Sequence, residues 1–174
     1  MRIQRNDLTI RDAGKADCEQ LAAWWNDGRV MAHAGFPLGL HTTAEAIEAQ
    51  ISQDSDETRR RLMIECRGRR IGEMSYRHLG DQTAEIGIKI CDFSCQDKGL
   101  GRVLLSMLIR ELFSRGCAVI RLDTNLNNTR AQHVYEKLGF RRVRINEDSW
   151  KDQLGEWQSS VDYELTPEDF RDLS

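Results

Sequence analysis

The chain is poor in the residues that divide a protein into pieces. Its 174 residues include two prolines, no low-complexity tract and no internal repeat, so no linker separates one part from another. A single domain over residues 1–174 is expected, and 40% hydrophobic content is enough for one sizeable core. Nowhere do roughly 20 apolar residues run together, which excludes a bilayer-spanning helix, and Met1 to Ile10 lacks the apolar stretch of a secretion signal. A cytoplasmic protein is the expectation. Charge of one sign is lacking too. Lys and Arg number 25 against 28 Asp and Glu, interspersed, giving a net charge of −3 and no footprint for nucleic acid or an anionic membrane. The five cysteines are an odd set scattered through apolar segments, as expected of free thiols in a reducing compartment. Cys91 and Cys95 are the only close pair, and none of His33, His41, His78 or His133 lies near them in sequence, so no metal site is expected.

What is present is hydrophobic periodicity. Leu8, Ile10 and Ala13 roughly alternate with polar residues as in a short strand, and Lys15 to Asn26 then carries apolar residues at helical spacing. Gly28 to Thr42, with Gly35, Pro37 and Gly39 close together, reads as irregular. Thr42 or Thr43 can cap a helix running to about Ser52. Leu62 to Cys66, Ile71 to Leu79 and Ala84 to Phe93 are β-rich runs separated by turn residues, which predicts an antiparallel meander. Leu100, Val103, Leu104, Met107, Leu108 and Leu112 recur every three or four residues, predicting an amphipathic helix that stops at Gly116 before a buried strand, Ala118 to Asp123. Asn128 caps a second helix that buries Ala131, Val134, Tyr135 and Leu138 and ends at Gly139. Phe140 to Ile145 and Ser160 to Leu165 read as the last strands, joined by a polar stretch from Asn146 to Gln158. The alternation predicts a mixed α/β sheet with a parallel pair near its middle.

Between a strand and the long helix lies Gln96-Asp97-Lys98-Gly99-Leu100-Gly101. Unpaired N–H groups and the positive helix end make such a turn an anion site, two glycines let the backbone approach a phosphate, and Lys98 and Arg102 add charge. A glycine turn of this kind is equally a structural solution to a tight corner. No Gly-x-x-x-x-Gly-Lys-Ser/Thr loop is present and the third glycine of a dinucleotide fingerprint is missing, so neither ATP nor NAD is favoured.

Downstream stands Asn128-Thr129-Arg130-Ala131-Gln132-His133-Val134-Tyr135-Glu136-Lys137-Leu138-Gly139-Phe140. Taken with the Gln-x-x-Gly-x-Gly turn, in this order and spaced around a strand, it closely resembles the GNAT superfamily of acyl-CoA-dependent N-acyltransferases, over roughly Ala84 to Phe140. The resemblance implies an α/β (α+β) fold: a mixed, mostly antiparallel, splayed sheet flanked by helices, with acetyl-CoA in the cleft. It further implies that the pyrophosphate rests on Gln96, Lys98, Gly99, Leu100, Gly101 and Arg102, and that pantetheine bonds the backbone near Ile90 and Cys91. Asp97 stands where many relatives have glycine and Cys95 where many have an aromatic residue; the Asp97 carboxylate should therefore point outward.

Asn128 and Tyr135 are seven residues apart, on one helix face with about 10 Å between them along the axis, which suits contacts strung along a cofactor arm. By resemblance Tyr135 lies beside the thioester sulfur, where a phenol can protonate the departing thiolate; alternatively it fills the core beside Val134 and Leu138. Glu85 resembles the glutamate base of histone-acetylating relatives, or it pairs across the sheet with Arg77. Asp92 and Asp123, near strand ends, are further carboxylates. A backbone N–H near Cys91, at a family bulge that splays the sheet, would hold the oxyanion. Cys91 and Cys95 have no histidine to activate them, and the family transfers directly in a ternary complex. Of Trp24 and Trp25, about 100° apart on a helix, one should enter the core and the other face the cleft or a partner. Glu19, Asp27 and Glu45 could draw in a cationic amine or simply form a solvated helix face. The layout looks most like the branch of ribosomal-protein N-terminal and small-molecule acetyltransferases, which puts the acceptor among peptide N-termini, polyamines or aminoglycosides. A non-catalytic acyl-CoA-binding or partner-binding domain of the same fold is the alternative. An edge strand at Ser160 to Leu165 could pair between subunits as a homodimer.

Overall fold

The computed structural model describes residues 1–174. Eight strands form one sheet: β1 (Arg2–Arg5), β2 (Leu8–Asp12), β3 (Arg59–Cys66), β4 (Arg69–Gly80), β5 (Thr83–Ile90), β6 (Val119–Asn125), β7 (Arg141–Lys151) and β8 (Trp157–Leu165). Five helices accompany them: α1 (Cys18–Trp25), α2 (Gly28–Met31), α3 (Ala44–Ile51), α4 (Leu100–Ser114) and α5 (Thr129–Lys137). The spatial order is β1-β2-β3-β4-β5-β6-β8-β7, antiparallel throughout except where β5 meets β6. Two helix starts carry the side-chain caps their sequences predict: Thr43 Oγ1 accepts from the Ala46 N–H at 3.2 Å, and Asn128 Oδ1 from the Ala131 N–H at 3.2 Å.

The parallel pair is short. Thr83, Ala84 and Glu85 face Val119, Ile120 and Arg121, after which β5 runs on to Ile90 and β6 to Asn125 without pairing. The sheet therefore opens into a V, and the cleft lies between its arms. The β4–β5 register is continuous from Gly72↔Ile90 to His78↔Ala84, so no bulge inside β5 makes the opening; it comes from β6 turning away. At the end of β5 the Ile71 carbonyl accepts from both the Cys91 and Asp92 N–H groups, a two-on-one arrangement that closes the ladder.

Most of the core lies on one face of this sheet. There α4 buries Leu104, Leu105, Met107, Leu108, Ile109 and Leu112 against Leu62, Ile64, Met74, Tyr76, Ala84, Ile86, Ile120 and Leu122, with Tyr135 and Leu138 of α5 beside them. On the other face α1 and α3 cover only Met63, through Cys18, Leu21 and Ile47. Strand side chains alternate between faces, so beyond β3 this second face shows Ser75, Arg77, Glu85, Lys89, Asp123 and Asp162, with Trp25 of α1 reaching over it as far as Glu73 on β4.

Several expectations change. Arg2–Arg5 is a strand despite its polar sequence, because it borrows the ladder of β2. Gly28 to Thr42 contains the short α2 and a 3₁₀ turn at residues 32–34. On α5 the buried residue beside Tyr135 is Gln132, whose Nε2 donates to the Leu126 carbonyl at 2.8 Å, while Ala131 and Val134 are half-buried. The polar stretch from Asn146 to Gln158 is mostly the two arms of a hairpin, solvated on its outer side and so without hydrophobic alternation. That hairpin inserts β8 between β6 and β7, so Ser160 to Leu165 is not an edge and cannot pair with another subunit; the edge strands are β1 and β7.

Candidate active site

A continuous cavity of 1310 Å³ follows the V from Trp25, Arg29, His33 and Trp150 at one end to Arg102 and Lys137 at the other. Its phosphate-like end is the start of α4. Gly99 is the N-cap with φ +72°, and no side chain caps the helix. The first-turn N–H groups thus keep no side-chain partner and point into the cleft. A Cβ on Gly101 would meet nothing within 4 Å, so the backbone is approachable there, while Arg102 folds back over Gly99. Asp97, also at positive φ, pairs with Arg130 at 2.8 Å, both side chains 66% exposed. Its carboxylate is therefore held by Arg130 in the first turn of α5, and both residues line the cavity. Removing this charge frees Arg130 for a bound anion. Asp97→Asn is expected to tighten acetyl-CoA binding about two- to fivefold, the size of an exposed charge interaction. Titration calorimetry at low salt checks this, and weaker binding would refute it.

Ile90, Gln96, Gly99, Leu100, Gly101, Arg102, Asn128, Tyr135 and Glu85 all line the cavity. Cys91 and Lys98 do not. Cys91 is buried behind the strand; its N–H is spent on the Ile71 carbonyl at 2.9 Å, and burial pushes its thiol up to about 12, which suits neither an oxyanion donor nor a nucleophile. Antiparallel alternation places the Ile88 and Ile90 backbone groups on the cleft side instead. Lys98, between the left-handed Asp97 and Gly99, is exposed outside the cleft. Gln96 ties down the end of β5, its Nε2 donating to the Ile90 carbonyl at 2.9 Å. Asp92 also serves locally: it accepts from the Ser94 N–H and hydroxyl and pairs with Arg69.

At the vertex, Tyr135 is 8% exposed and packs edge-on to Phe140 and Tyr163, with ring centroids at 5.9 and 5.7 Å. The ring belongs to the core, and the hydroxyl, with no protein hydrogen-bond partner, opens on the cleft. Burial, then Asp123 and Tyr163, push the phenol up to about 12. Glu85 is cross-strand from Arg77, and Arg77 Nη2 donates to its Oε1 at 2.8 Å, with both groups half-exposed. Asp123 lies further along β6, reachable by solvent yet walled by protein, and makes no ion pair. Its carboxyl is raised by desolvation, then by Glu85 and Asp162.

At the far end Trp25 faces the cleft, its Nε1 donating to Glu73 at 3.0 Å, while Lys89 approaches the same carboxylate at 3.3 Å. Both Trp24 and Trp25 also touch the small core of α1 and α3. The tip of the β7–β8 hairpin clasps the loop after α2. The Gln153 N–H donates to the Gly35 carbonyl at 2.8 Å, and its side chain bonds Leu38 and Gly39 at 2.8 and 2.9 Å. Gly35 is left-handed (φ +95°), and a Cβ there would sit 2.3 Å from the Trp150 ring, so only glycine fits under that indole. Arg59, Glu73, Lys89 and Trp150 carried no sequence signal as cleft residues, because their placement depends on which strands become neighbours.

An open, mostly antiparallel sheet split at a parallel pair, with a glycine-turn helix at the split, is the fold of N-acetyltransferases of known structure. The spermidine N-acetyltransferase of Vibrio cholerae, solved with CoA and spermine, matches with a TM-score of 0.84 over 95% of this chain and 98% of that one at 20% identity. A Salmonella typhimurium acetyltransferase solved with acetyl-CoA matches with a TM-score of 0.75 at 25% identity, over 92% of this chain and 94% of that one. The family model described as the acetyltransferase (GNAT) domain matches residues 7–141, and the chain belongs to that family. Among curated relatives it is similar to the ribosomal protein bS18-alanine N-acetyltransferase of Escherichia coli (strain K12), 46% identical over 50 residues, or 29% of this chain and 34% of that protein. Mycothiol acetyltransferase of Cellulomonas flavigena is 33% identical over 67 residues, 38% of this chain and 19% of that one. The similarity thus spans about a third or less of these relatives' lengths.

Proposed function

We propose that this protein is a cytoplasmic acetyl-CoA-dependent N-acetyltransferase that transfers the acetyl group to a primary amine by direct attack in a ternary complex. The observation that carries it is the meeting, in one cavity, of the uncapped α4 turn and the unpartnered Tyr135 hydroxyl. Acetyl-CoA would supply the activated acetyl group. The residues present fit it: the first-turn amides with Arg102 would hold phosphates, and the cleft-facing edge of Ile88 and Ile90 would bond an amide-bearing arm. Asn128 would flank that arm with the amide nitrogen its cap leaves free.

For the transfer, the amine must first lose a proton, and Glu85 is a candidate base held in place by Arg77. As nitrogen attacks the carbonyl carbon, a cleft-facing amide of β5 would stabilise the oxygen. When the carbon–sulfur bond breaks, the Tyr135 hydroxyl would donate its proton to sulfur. A phenol pushed up to about 12 is fully protonated at neutral pH, so it is always ready as a donor. The same burial makes the phenolate costly, which favours a shared hydrogen bond that passes the proton late.

The relatives' names support a peptide N-terminus or a polyamine as acceptor. The test is acetyl-CoA binding by calorimetry together with free-thiol release across a panel of amines and N-terminal peptides. Transfer to at least one acceptor is expected. Binding without release from any of them would leave the non-catalytic acyl-CoA-binding domain as the better description.

A further inference from the structure

The second face of the sheet carries two like-charge pairs that make no sense as structure. On β3 and β4, Arg59 lies directly opposite Arg77, and on β6 and β8, Asp123 lies directly opposite Asp162. Like charges in direct cross-strand opposition are destabilising. Arg59 makes no ion pair and Arg77 has only Glu85. Asp162 accepts one bond from Asn146, and Arg144 on its other flank forms no ion pair with it. Arg59, Arg77 and Asp123 line the same cavity, with side-chain-free Gly87 between the two arms. A ligand with a cationic end and an anionic group would relieve both repulsions at once.

The arginines also mark where the ligand leaves. A second, wholly polar cavity of 410 Å³, formed by Gln50, Gln53, Thr58, His78 and their neighbours, shares Arg59, Arg61 and Arg77 with the main cleft. Of its two carboxylates, Asp54 is engaged by the Arg61 N–H at 2.9 Å, and Glu57 makes no ion pair. A groove that continues past the arginines without apolar lining suits an extended polar chain better than a compact small molecule. A polyamine fits poorly. Arg29, Arg61, Arg77 and Lys89 are paired with Asp27, Asp54, Glu85 and Glu73, so the cation left without a partner in this half of the cleft is Arg59, which would repel a second ammonium.

Resting on the acetyltransferase reading above, we infer that the acceptor is a peptide N-terminus with an acidic residue close behind it. Asp123 receives the amine, Arg59 and Arg77 take the acidic side chain, and the rest of the peptide leaves along the polar groove. Asp123 lies two strands from Arg77 and three from Arg59, roughly 10 to 14 Å at the spacing of paired strands and more across the open V. At about 3.3 Å per extended residue, and with the arginine arms reaching inward, the acidic residue falls at about the second to fourth position. Asp123 is also the better-placed proton acceptor of the two cleft carboxylates. Unlike Glu85 it has no guanidinium bonded to it, and desolvation, then Glu85 and Asp162, raise its carboxyl.

The test is free-thiol release with acetyl-CoA and matched hexapeptides that differ only at positions two to four, as Glu, Gln or Lys, with spermidine as a fourth acceptor. The Glu peptide should exceed the Gln peptide in kcat/KM by at least about tenfold, the Lys peptide and spermidine should be poorest, and the preference should shrink with added salt. Arg59→Gln should compress the Glu-to-Gln ratio to within about threefold, whereas Asp123→Asn should lower kcat/KM for every peptide by about tenfold or more and keep the ratio. Equal use of Glu and Gln peptides, a ratio untouched by Arg59→Gln, or preference for spermidine would overturn the inference while the acetyltransferase reading stands. No release with any acceptor would overturn both.

Discussion

Replacing Tyr135 with phenylalanine is expected to lower kcat by about a hundredfold, the lower range for loss of a general acid, while acetyl-CoA binds nearly as before. The reason is the division of labour within the side chain. The ring is fixed by Phe140 and Tyr163 and remains in the phenylalanine variant, so the cleft keeps its shape. Only the hydroxyl is lost, and it has no protein partner to leave unpaired, so the thermal midpoint should not fall. Stopped-flow thiol release with saturating acetyl-CoA separates turnover from binding. Unchanged kcat would reduce Tyr135 to a core residue.

The second large effect is expected from Gly101→Asp, and its interest lies in a split between stability and binding. The new Cβ enters open space, and a carboxylate in the first turn of α4 favours the helix by about 0.3–1 kcal/mol. The unliganded protein should therefore melt at the same temperature or slightly higher. A bound phosphate would meet that carboxylate at close range. At an effective dielectric of 20, two unit charges about 4 Å apart repel by about 4 kcal/mol, so a loss of at least about a hundredfold in acetyl-CoA affinity is expected. The thermal shift caused by acetyl-CoA should vanish. If the variant keeps it, the phosphates do not rest on this turn.

The α4 end of the cleft was legible in the sequence because its determinants are local. The two glycines, the apolar phasing of α4 and the Asn128 cap each act within a few residues, and each stands where its spacing predicts. Tyr135 was legible for the same reason, through its seven-residue spacing from Asn128. The acceptor end was not. Cys91 and Ile90 are adjacent in sequence, and only the β4–β5 register shows that one turns its amide to Ile71 and the other to the cleft. Strand β7 runs on to Lys151, past the expected end at Ile145, because a hairpin solvated on one side needs no hydrophobic alternation.

The sequence by itself therefore determined the family, the order of elements and the chemistry of the α4 and α5 helix starts, since capping, glycine conformations and helical phasing are settled by neighbours along the chain. The tertiary structure alone decided what faces what across the sheet: that Arg77 claims Glu85, that Arg59 opposes Arg77, that Asp123 opposes Asp162, and that β8 is interior. Alternation along a strand tells which residues share a face, but nothing in it names the neighbouring strand or the register. Those are set by long-range pairing and burial of the whole core, and they place the charges along the cleft.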